Sequence, residues 1–377
     1  MNELQVSLVD ASRRPDSNLN LENVVQAART LSDRLRNASE AVQAARVAAD
    51  SAIAKGVEEL NLRVSQVAYL NRRISNLSNQ GKATAALVDK RQDLISQINA
   101  FVPVHEVPRK SEKVALFTTG GLALLDGTIP TQISFRPARH LIPQGDLSHN
   151  AGGHLIVNNE QLSDTQMKLF AGGSIHANFA VRDDLAPRVQ HELDSFAIEL
   201  HDLFSDPQTD PTLTENIPGL FLDGENRASI DNLSGLSLRL KLNPKIDPAA
   251  GGDSWKIRDG LNAENEGPTG NPELLVKLSN IFSVSNSPIF GSAFKGDASL
   301  NGRLAEIEAH ITSDRLAFEK DYVSKNSAVD ALSVGVWEDG VNTDAEIQKL
   351  ITLGQSYAAN ARVVQAVDEM LDQILRW

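Results

Sequence analysis

The sequence contains no cysteine, so disulfide bonds, cysteine-ligated metals and thiol nucleophiles are all excluded. It has no uninterrupted apolar run of the ~18 residues that a membrane-spanning helix requires. Residues 1–5 also lack the basic stretch and following apolar run of a classical signal peptide. These absences exclude a disulfide framework and a spanning helix.

Aromatic residues are scarce, at 5% of the chain, and acidic residues outnumber basic ones to give a formal net charge of −13. A core poor in rings is filled by Ala, Leu, Val and Ile, which is typical of helical bundles and coiled coils. The acidity disfavours nucleic acid, because binding there depends on Lys and Arg displacing phosphate counterions. The length of 377 residues predicts two or three domains.

The first third of the chain has an apolar or small residue at every third or fourth position from Leu31 to Leu77. This spacing keeps one stripe on one helix face and predicts a helix over about residues 21–77. We expect it to end at Gly81, which suits a left-handed closing position, and to bend at Gly56. A short link then favours an antiparallel hairpin with a second helix over about 83–101.

Residues 103–299 differ, because short apolar runs alternate with Gly-Gly, Asp-Gly and Pro-containing turns. Strands are predicted at residues 113–117, 122–125, 131–135, 154–157, 175–181, 236–242 and 255–258. Helices are predicted at residues 184–204 and 273–282.

The end of the chain is helical again, with a break at residues 339–342 after which Thr343 and Glu346 form a capping box. The last helix carries an apolar seam at near-heptad spacing, in which one polar Asn is a register-setting device. The seam residues are Leu350, Leu353, Tyr357, Asn360, Val364, Val367, Leu371 and Ile374. We expect this seam to pair with another segment or a neighbouring copy.

The predicted fold class is mainly α with β insertions (α+β), an elongated helical bundle built from both chain ends with β-hairpins and a small inserted mixed domain. The predicted divisions are residues 1–204, containing the β-hairpin region 103–181; the inserted domain 205–299; a returning bundle helix 300–338; and a C-terminal axial coiled-coil helix 339–377.

Candidate chemistry is sparse. His140, His149 and His154 lie near Asp146, but their spacings match no standard zinc pattern. His191 begins a helical zinc-protease motif whose second ligand position is occupied by serine. No phosphate-binding glycine loop or nucleophile elbow occurs. We therefore expect no enzyme activity, no metal and no cofactor.

Several stretches, in chain order, resemble flagellar hook-associated protein 1. They are ALVDKRQDLI at 86–95, GGSI at 172–175, GVNTDAE at 340–346, QSYAANARVV at 355–364 and VDEMLD at 367–372. The resemblance covers most of the chain, and the C-terminal block is its most specific part. The family's Asn-rich, Thr-Pro-Gly-Tyr-like opening segment has no counterpart here, so we expect a fragment that lacks the N-terminal axial helix.

The resemblance implies a structural, non-catalytic adaptor at the junction of hook and filament. It further implies an extracellular location in the bacterial flagellum, reached through the flagellar type III secretion system without a cleaved signal. Implied partners are hook protein subunits, the second hook–filament junction protein, a flagellar export chaperone and further copies of the chain in a ring.

Three alternatives remain open at this point. One is the other junction protein or a flagellin-like subunit, which share the helical termini. Another is a surface module that recognises a carbohydrate or host partner through residues 205–299, where Trp255 and Phe282 are the notable rings. An enzyme is the third choice.

Overall fold

The computed structural model describes residues 1–137, 153–163, 165–339 and 343–375, with the backbone alone for residues 326, 328–339, 343–346, 374 and 375. The helices are α1 Asn2–Arg13, α2 Asn18–Ser78, α3 Ala85–Asn99, α4 Gly173–Ala180, α5 Ala186–Leu203, α6 Leu236–Arg239, α7 Lys256–Asp259, α8 Glu273–Asn280, α9 Leu300–Asp339 and α10 Thr343–Leu375. The strands are β1 Val104–Pro108, β2 Val114–Thr118, β3 Ala123–Asp126, β4 Ile129–Pro130, β5 Ile133–Phe135, β6 Leu155–Val157, β7 Glu160–Gln161, β8 Phe221–Asp223 and β9 Leu240–Leu242.

Helix α2 is 61 residues long, and most of the other helices pack against it. Ser17 accepts a hydrogen bond at its N-terminus from the Asn20 amide, and Gly81 adopts φ +69° after its C-terminus, as predicted. Helix α3 returns antiparallel to it, since Asn71 contacts Arg91 and Arg63 contacts residue 97. The predicted helical hairpin is confirmed.

Gly56 lies within unbroken helix and serves close packing. A Cβ atom at this position would lie 3.2 Å from Cγ1 of Ile175 on α4. The absence of a side chain therefore lets α4 approach the α2 backbone.

The β strands form small antiparallel sheets. One sheet has the order β1-β2-β3-β4, a second has the order β5-β6-β7, and β8 pairs with β9. The hairpins expected at Gly120-Gly121 and Asp126-Gly127 connect β2 to β3 and β3 to β4. The β-hairpin prediction is confirmed there, although strand β1 was not predicted.

The prediction of a strand over residues 175–181 was wrong, because this segment is α4 followed by a π-helical turn at Val181–Leu185. Gly172 and Gly173 both have positive φ and turn the chain sharply. The amides of Ser174 and Ile175 then donate to carbonyl oxygens at the end of α3. These contacts satisfy free amides at the start of α4 and favour a helix despite the β-branched residues.

The predicted strands at 236–242 and 255–258 were also wrong in large part. Residues 236–239 form α6, because the Asp194 carboxylate accepts from the amides of Gly235 at 2.7 Å and Ser237 at 2.9 Å. Only Leu240–Leu242 is a strand. Lys256–Asp259 is the short helix α7.

Two hydrophobic clusters form the core. One joins α1, the first half of α2, α5, residues from 205–299, the start of α9 and the end of α10. The other joins the second half of α2 with α3, the β1–β4 and β5–β7 sheets, and α4. Phe204 at the end of α5 packs edge-on against Phe221 and Phe282, at centroid distances of 5.6 and 5.7 Å. The division at residues 205 and 299 stays a prediction.

Arg182 is a buried charge beside the sheets. Its guanidinium lies 2.6 Å from Asp50 of α2 and 2.7 Å from Asp183, and it donates to the Gly153 carbonyl oxygen at 3.0 Å. The Phe179 ring lies 4.7 Å from it. Ion pairs and hydrogen bonds of this kind are what a buried guanidinium requires.

Candidate functional site

Helix α10, which carries the predicted seam, packs antiparallel to α9 and also against α2, α3 and α4. Its buried residues recur at every fourth position, at Gln355, Ala359, Val363, Val367 and Leu371, and Met370 is buried beside them. Side chains four residues apart share one helix face, so this row is the ridge that α10 presents to the rest of the chain.

The predicted seam coincides with this row only at its C-terminal end, at Val367 and Leu371. The other seam residues with described side chains are only half-buried; these are Leu350, Leu353, Tyr357, Asn360 and Val364. The side chain of Ile374 lies outside the described residues. Sequence reasoning missed Gln355, Ala359, Val363 and Met370, because the predicted heptad seam follows a neighbouring face of the helix, although the four-residue repeat was visible.

Tyr357 and Asn360 contact α9. The rings of Tyr357 and Tyr322 stack at a centroid distance of 3.7 Å and an angle of 21°. Asn360 donates to the Asp321 carboxylate, which also accepts from Lys325 Nζ at 2.7 Å. The Lys325 hydrogen bond is the main cause that lowers the pKa of Asp321, and the Asn360 bond acts in the same direction. The polar seam residue therefore has a partner inside the chain.

The remaining apolar residues of the seam are half-buried, and these are Leu350, Leu353 and Val364. At the same end of α10, Gln355 donates to the Ser96 carbonyl oxygen of α3 at 2.9 Å, which fixes the rotation of the helix.

Helix α9 is joined to α5 by two ion pairs and one histidine–carboxylate contact in antiparallel register, which we call the charge ladder. The pairs are Arg303–Glu199 at 3.1 Å, His310–Glu192 at 2.9 Å and Asp314–Arg188 at 2.5 Å. Each step along α9, of seven and then four residues, matches the same step backwards along α5. The register of α9 on the body is therefore set by charge as well as by the apolar contacts of Ile307 and Ile311.

The sequence did not predict this charge ladder. Glu192 and Glu199 lie seven residues apart on α5, as do Arg303 and His310 on α9. The matching intervals were the available signal, but nothing in one sequence indicates that these two helices are neighbours.

The structure tests the candidate histidine site only in part. His140, His149 and Asp146 lie outside the described residues, while His154 is half-buried. Within the described ranges, no three His, Asp or Glu side chains converge as metal ligands would. Among the helices that the structure describes, none has the length and apolarity of a transmembrane span.

Comparison with known proteins places this arrangement in a family. Residues 1–219 match the family described as the helical domain of flagellar hook-associated protein FlgK. Residues 337–376 match the C-terminal family of the flagellar basal body rod proteins FlgEFG. No curated protein matches the chain.

A solved structure, the flagellar hook junction protein FlgK from Burkholderia pseudomallei, is similar over 59% of this chain, with 19% identity and a TM-score of 0.46. This chain covers 40% of that protein's length. The helical-domain match extends from residue 1 to residue 219 of the 377. The chain therefore belongs to the family of the flagellar hook-associated protein FlgK, a structural component of the bacterial flagellum.

Proposed function

We propose that this chain is a structural, non-catalytic adaptor between the hook and the filament of the flagellum. The observation that carries the proposal is the pair of family matches, to the FlgK helical domain at one end and to the C-terminal region of axial rod proteins at the other. The fold agrees with a mechanical role, because long packed helices connect the body to the C-terminal segment.

The proposed load path runs through named contacts. Helix α10 is held to α9 by the Tyr322–Tyr357 stack and by the Arg315–Asp368 ion pair at 3.0 Å. Helix α9 is held to α5 by the charge ladder, and α5 lies in the larger core cluster. Force applied to α10 is thereby passed to the body through side chains on three successive helices.

The half-buried face at Leu350, Leu353 and Val364 is the proposed contact with another axial helix. We infer that a flagellar export chaperone covers this face before export through the type III secretion system. Outside the cell, hook protein subunits, the second junction protein and further copies in a ring are the proposed neighbours. Burying this face only on assembly would limit premature association.

The alternatives are less well supported. The helical-domain match favours a FlgK-type adaptor over a flagellin-like subunit. A carbohydrate site built on Trp255 and Phe282 is disfavoured, because Phe282 is fully buried against Phe204 and presents no ring face to a sugar. The predicted divisions of the chain remain proposals.

The experiment that tests the proposal combines deletion with labelling in the source bacterium. Deleting the gene is expected to leave hooks without filaments, and restoring it is expected to restore filaments. Because the chain has no cysteine, Ile129→Cys at a site that is 76% exposed provides one specific position for a maleimide–gold label. Electron microscopy should then show gold between hook and filament. Gold along the whole filament would favour the flagellin-like alternative, and normal filaments after deletion would contradict the adaptor role.

A further inference from the structure

Part of the predicted seam of α10 is occupied by its own chain. Val367 is 0% exposed and Leu371 is 5% exposed, because both belong to the buried row that packs on the body. Tyr357 stacks on a ring of α9, and Asn360 donates to a carboxylate of the same helix. Four of the eight seam residues are thus engaged within the chain. A helix from another molecule cannot pack along the whole seam while α10 holds this arrangement, which we call the closed position.

The opposite end of the seam is less covered. Leu350 and Leu353 are only half-buried, and residues three apart on a helix lie on one face. Val367 follows Leu353 by 14 residues, which is about 21 Å at the helical rise of ~1.5 Å per residue. The seam therefore has an accessible end and a covered end.

The contact between α10 and the body is incompletely packed. A cleft of about 430 Å³ lies between α4, α9 and α10 and is lined in part by His176, Phe318 and Ser356. Gln355 donates to the Ser96 carbonyl oxygen, but its own Oε1 is buried without a hydrogen-bond partner among the described residues. An unfilled cleft forfeits dispersion contacts, and a buried unpaired amide oxygen costs free energy. Both features make α10 easier to release than a core element such as α2.

The residues that hold the closed position are mostly different from those of the seam. Ala359, Val363 and Met370 pack in the larger core cluster and are not seam residues. Val367 and Leu371 are common to both sets. Docking of α10 on the body can therefore be weakened by substitutions that leave every seam residue unchanged.

We propose that the closed position is an autoinhibitory contact, which α10 must leave before its whole seam can pair with another axial helix. Leu350 and Leu353 make the first contact, and the incoming helix then replaces the body at Val367 and Leu371. A copy in solution keeps its pairing-competent form scarce, which lowers its apparent affinity for other copies and limits association before assembly. The contact regulates the seam of α10 and so rests on the proposed function.

Cysteine alkylation tests the closed position, since the natural chain has no cysteine. A maleimide should react at least about tenfold more slowly with Val367→Cys than with Arg362→Cys, at an exposed position of the same helix. Adding Val363→Asp, which places a charge in the buried row, should raise the Val367→Cys rate to near that of Arg362→Cys, while amide exchange in α2 stays unchanged. Adding Gln365→Asp at an exposed position is the matched control and should not alter the rate. Equal rates at residues 362 and 367 without these additions would overturn the closed position.

A reversible crosslink tests whether α10 must leave the body. Ser96→Cys and Gln355→Cys in one chain, joined by a short bis-methanethiosulfonate reagent, hold α10 on α3, and dithiothreitol releases it. Hooks isolated from a strain that lacks the gene are the probe, and the protein that sediments with them is measured. The locked protein should bind at least about tenfold less than the reduced protein. The matched control, Arg63→Cys with Gln97→Cys, joins α2 to α3 and should bind equally in both forms.

The outcomes separate this contact from the adaptor role. Equal hook binding by the locked and reduced proteins would overturn the autoinhibitory contact and leave the adaptor role intact. Loss of hook binding in both forms would contradict the adaptor role, and the autoinhibitory contact with it. Slow alkylation of Val367→Cys in that case would show that the closed position itself exists and that the adaptor role is what failed.

Discussion

Glu192 of α5 contacts His310 of α9 through one carboxylate oxygen, with 2.9 Å between Oε1 and Nδ1, and its other oxygen, Oε2, is buried without a hydrogen-bond partner among the described residues. Glu199, the next acid of the charge ladder, also has a buried oxygen, Oε1, outside its pair with Arg303, and the backbone of Ile289 is the other group that favours its charged form. Burial is the main cause that raises the pKa of both carboxyl groups, although His310 and Arg303 oppose it. The charge ladder therefore sets the register of α9 on α5, but it does not offset the full desolvation cost of burying the two carboxyl groups.

The raised pKa of Glu192 predicts a specific pH dependence. A carboxyl group with a higher pKa in the folded state binds more protons when folded, so folding stability falls as pH rises through the window between the two values. The Glu192→Gln substitution removes this pH-dependent contribution to folding stability. Its thermal midpoint relative to that of the natural chain should therefore increase as the pH rises through the range in which carboxyl groups titrate.

The control for this prediction is Glu319→Gln, which alters an exposed α9 carboxylate paired with Arg315. Its midpoint difference from the natural chain should stay nearly constant over the same range. Parallel profiles for Glu192→Gln and the natural chain would show that burial of Glu192 does not affect its titration.

Substitution of Arg182 is predicted to destabilise the fold more than substitution of an exposed charged residue. Its side chain is 1% exposed and lies against Asp50, whose side chain is 6% exposed. Arg182→Met removes the guanidinium from a buried carboxylate and should lower the free energy of unfolding by about 3–5 kcal/mol. Arg188→Met, which affects the more exposed pair with Asp314, should cost no more than about 1 kcal/mol. Denaturant unfolding compares the two, and similar losses would contradict the burial argument.

The aromatic cluster around Phe204 tests how residues 205–299 are coupled to the helices. Phe282→Ala should cost about 3–5 kcal/mol, because Phe282 is fully buried against Phe204. Since both rings belong to the cluster that contains α1 and α5, amide exchange should become faster in those helices as well. Faster exchange confined to residues 205–299 would instead support an independent inserted domain.

The Tyr322–Tyr357 stack is predicted to hold α10 on α9. Tyr357→Ala should weaken the helix pair by about 0.5–1.5 kcal/mol beyond the loss of buried area. Hydrogen exchange should accelerate in α10 while α2 and α3 are unaffected. Gln365→Ala, at an exposed position of the same helix, is the control and should leave exchange unchanged.

The elements that could be predicted from the sequence are those whose pattern is long and local. Helix α2 repeats its apolar stripe over many turns, and Gly81 marks its end, so both were predictable. Helix α1 was missed although Leu4, Leu8 and Ala11 have helical spacing, because the segment is short.

The predictions that were wrong concern segments whose conformation or packing is set by groups far away in the sequence. Residues 236–239 alternate like a strand, yet the Asp194 carboxylate of α5 holds their amides in a helical turn. The face of α10 that packs internally was likewise set by α2, α3 and α4, so the heptad pattern identified the helix but not its buried side. Such choices depend on tertiary contacts that a single sequence does not show.

The half-buried face of α10 is proposed to complete a contact with another axial helix of the flagellum. The decisive measurement is the fraction of hooks that carry filaments, counted by electron microscopy in a strain whose own gene encodes Leu350→Asp and Leu353→Asp. The matched control is Arg362→Asp with Gln365→Asp, two exposed positions on the same helix. Bare hooks are expected for the first variant and normal filaments for the control. Normal filaments in both strains would contradict the proposed contact.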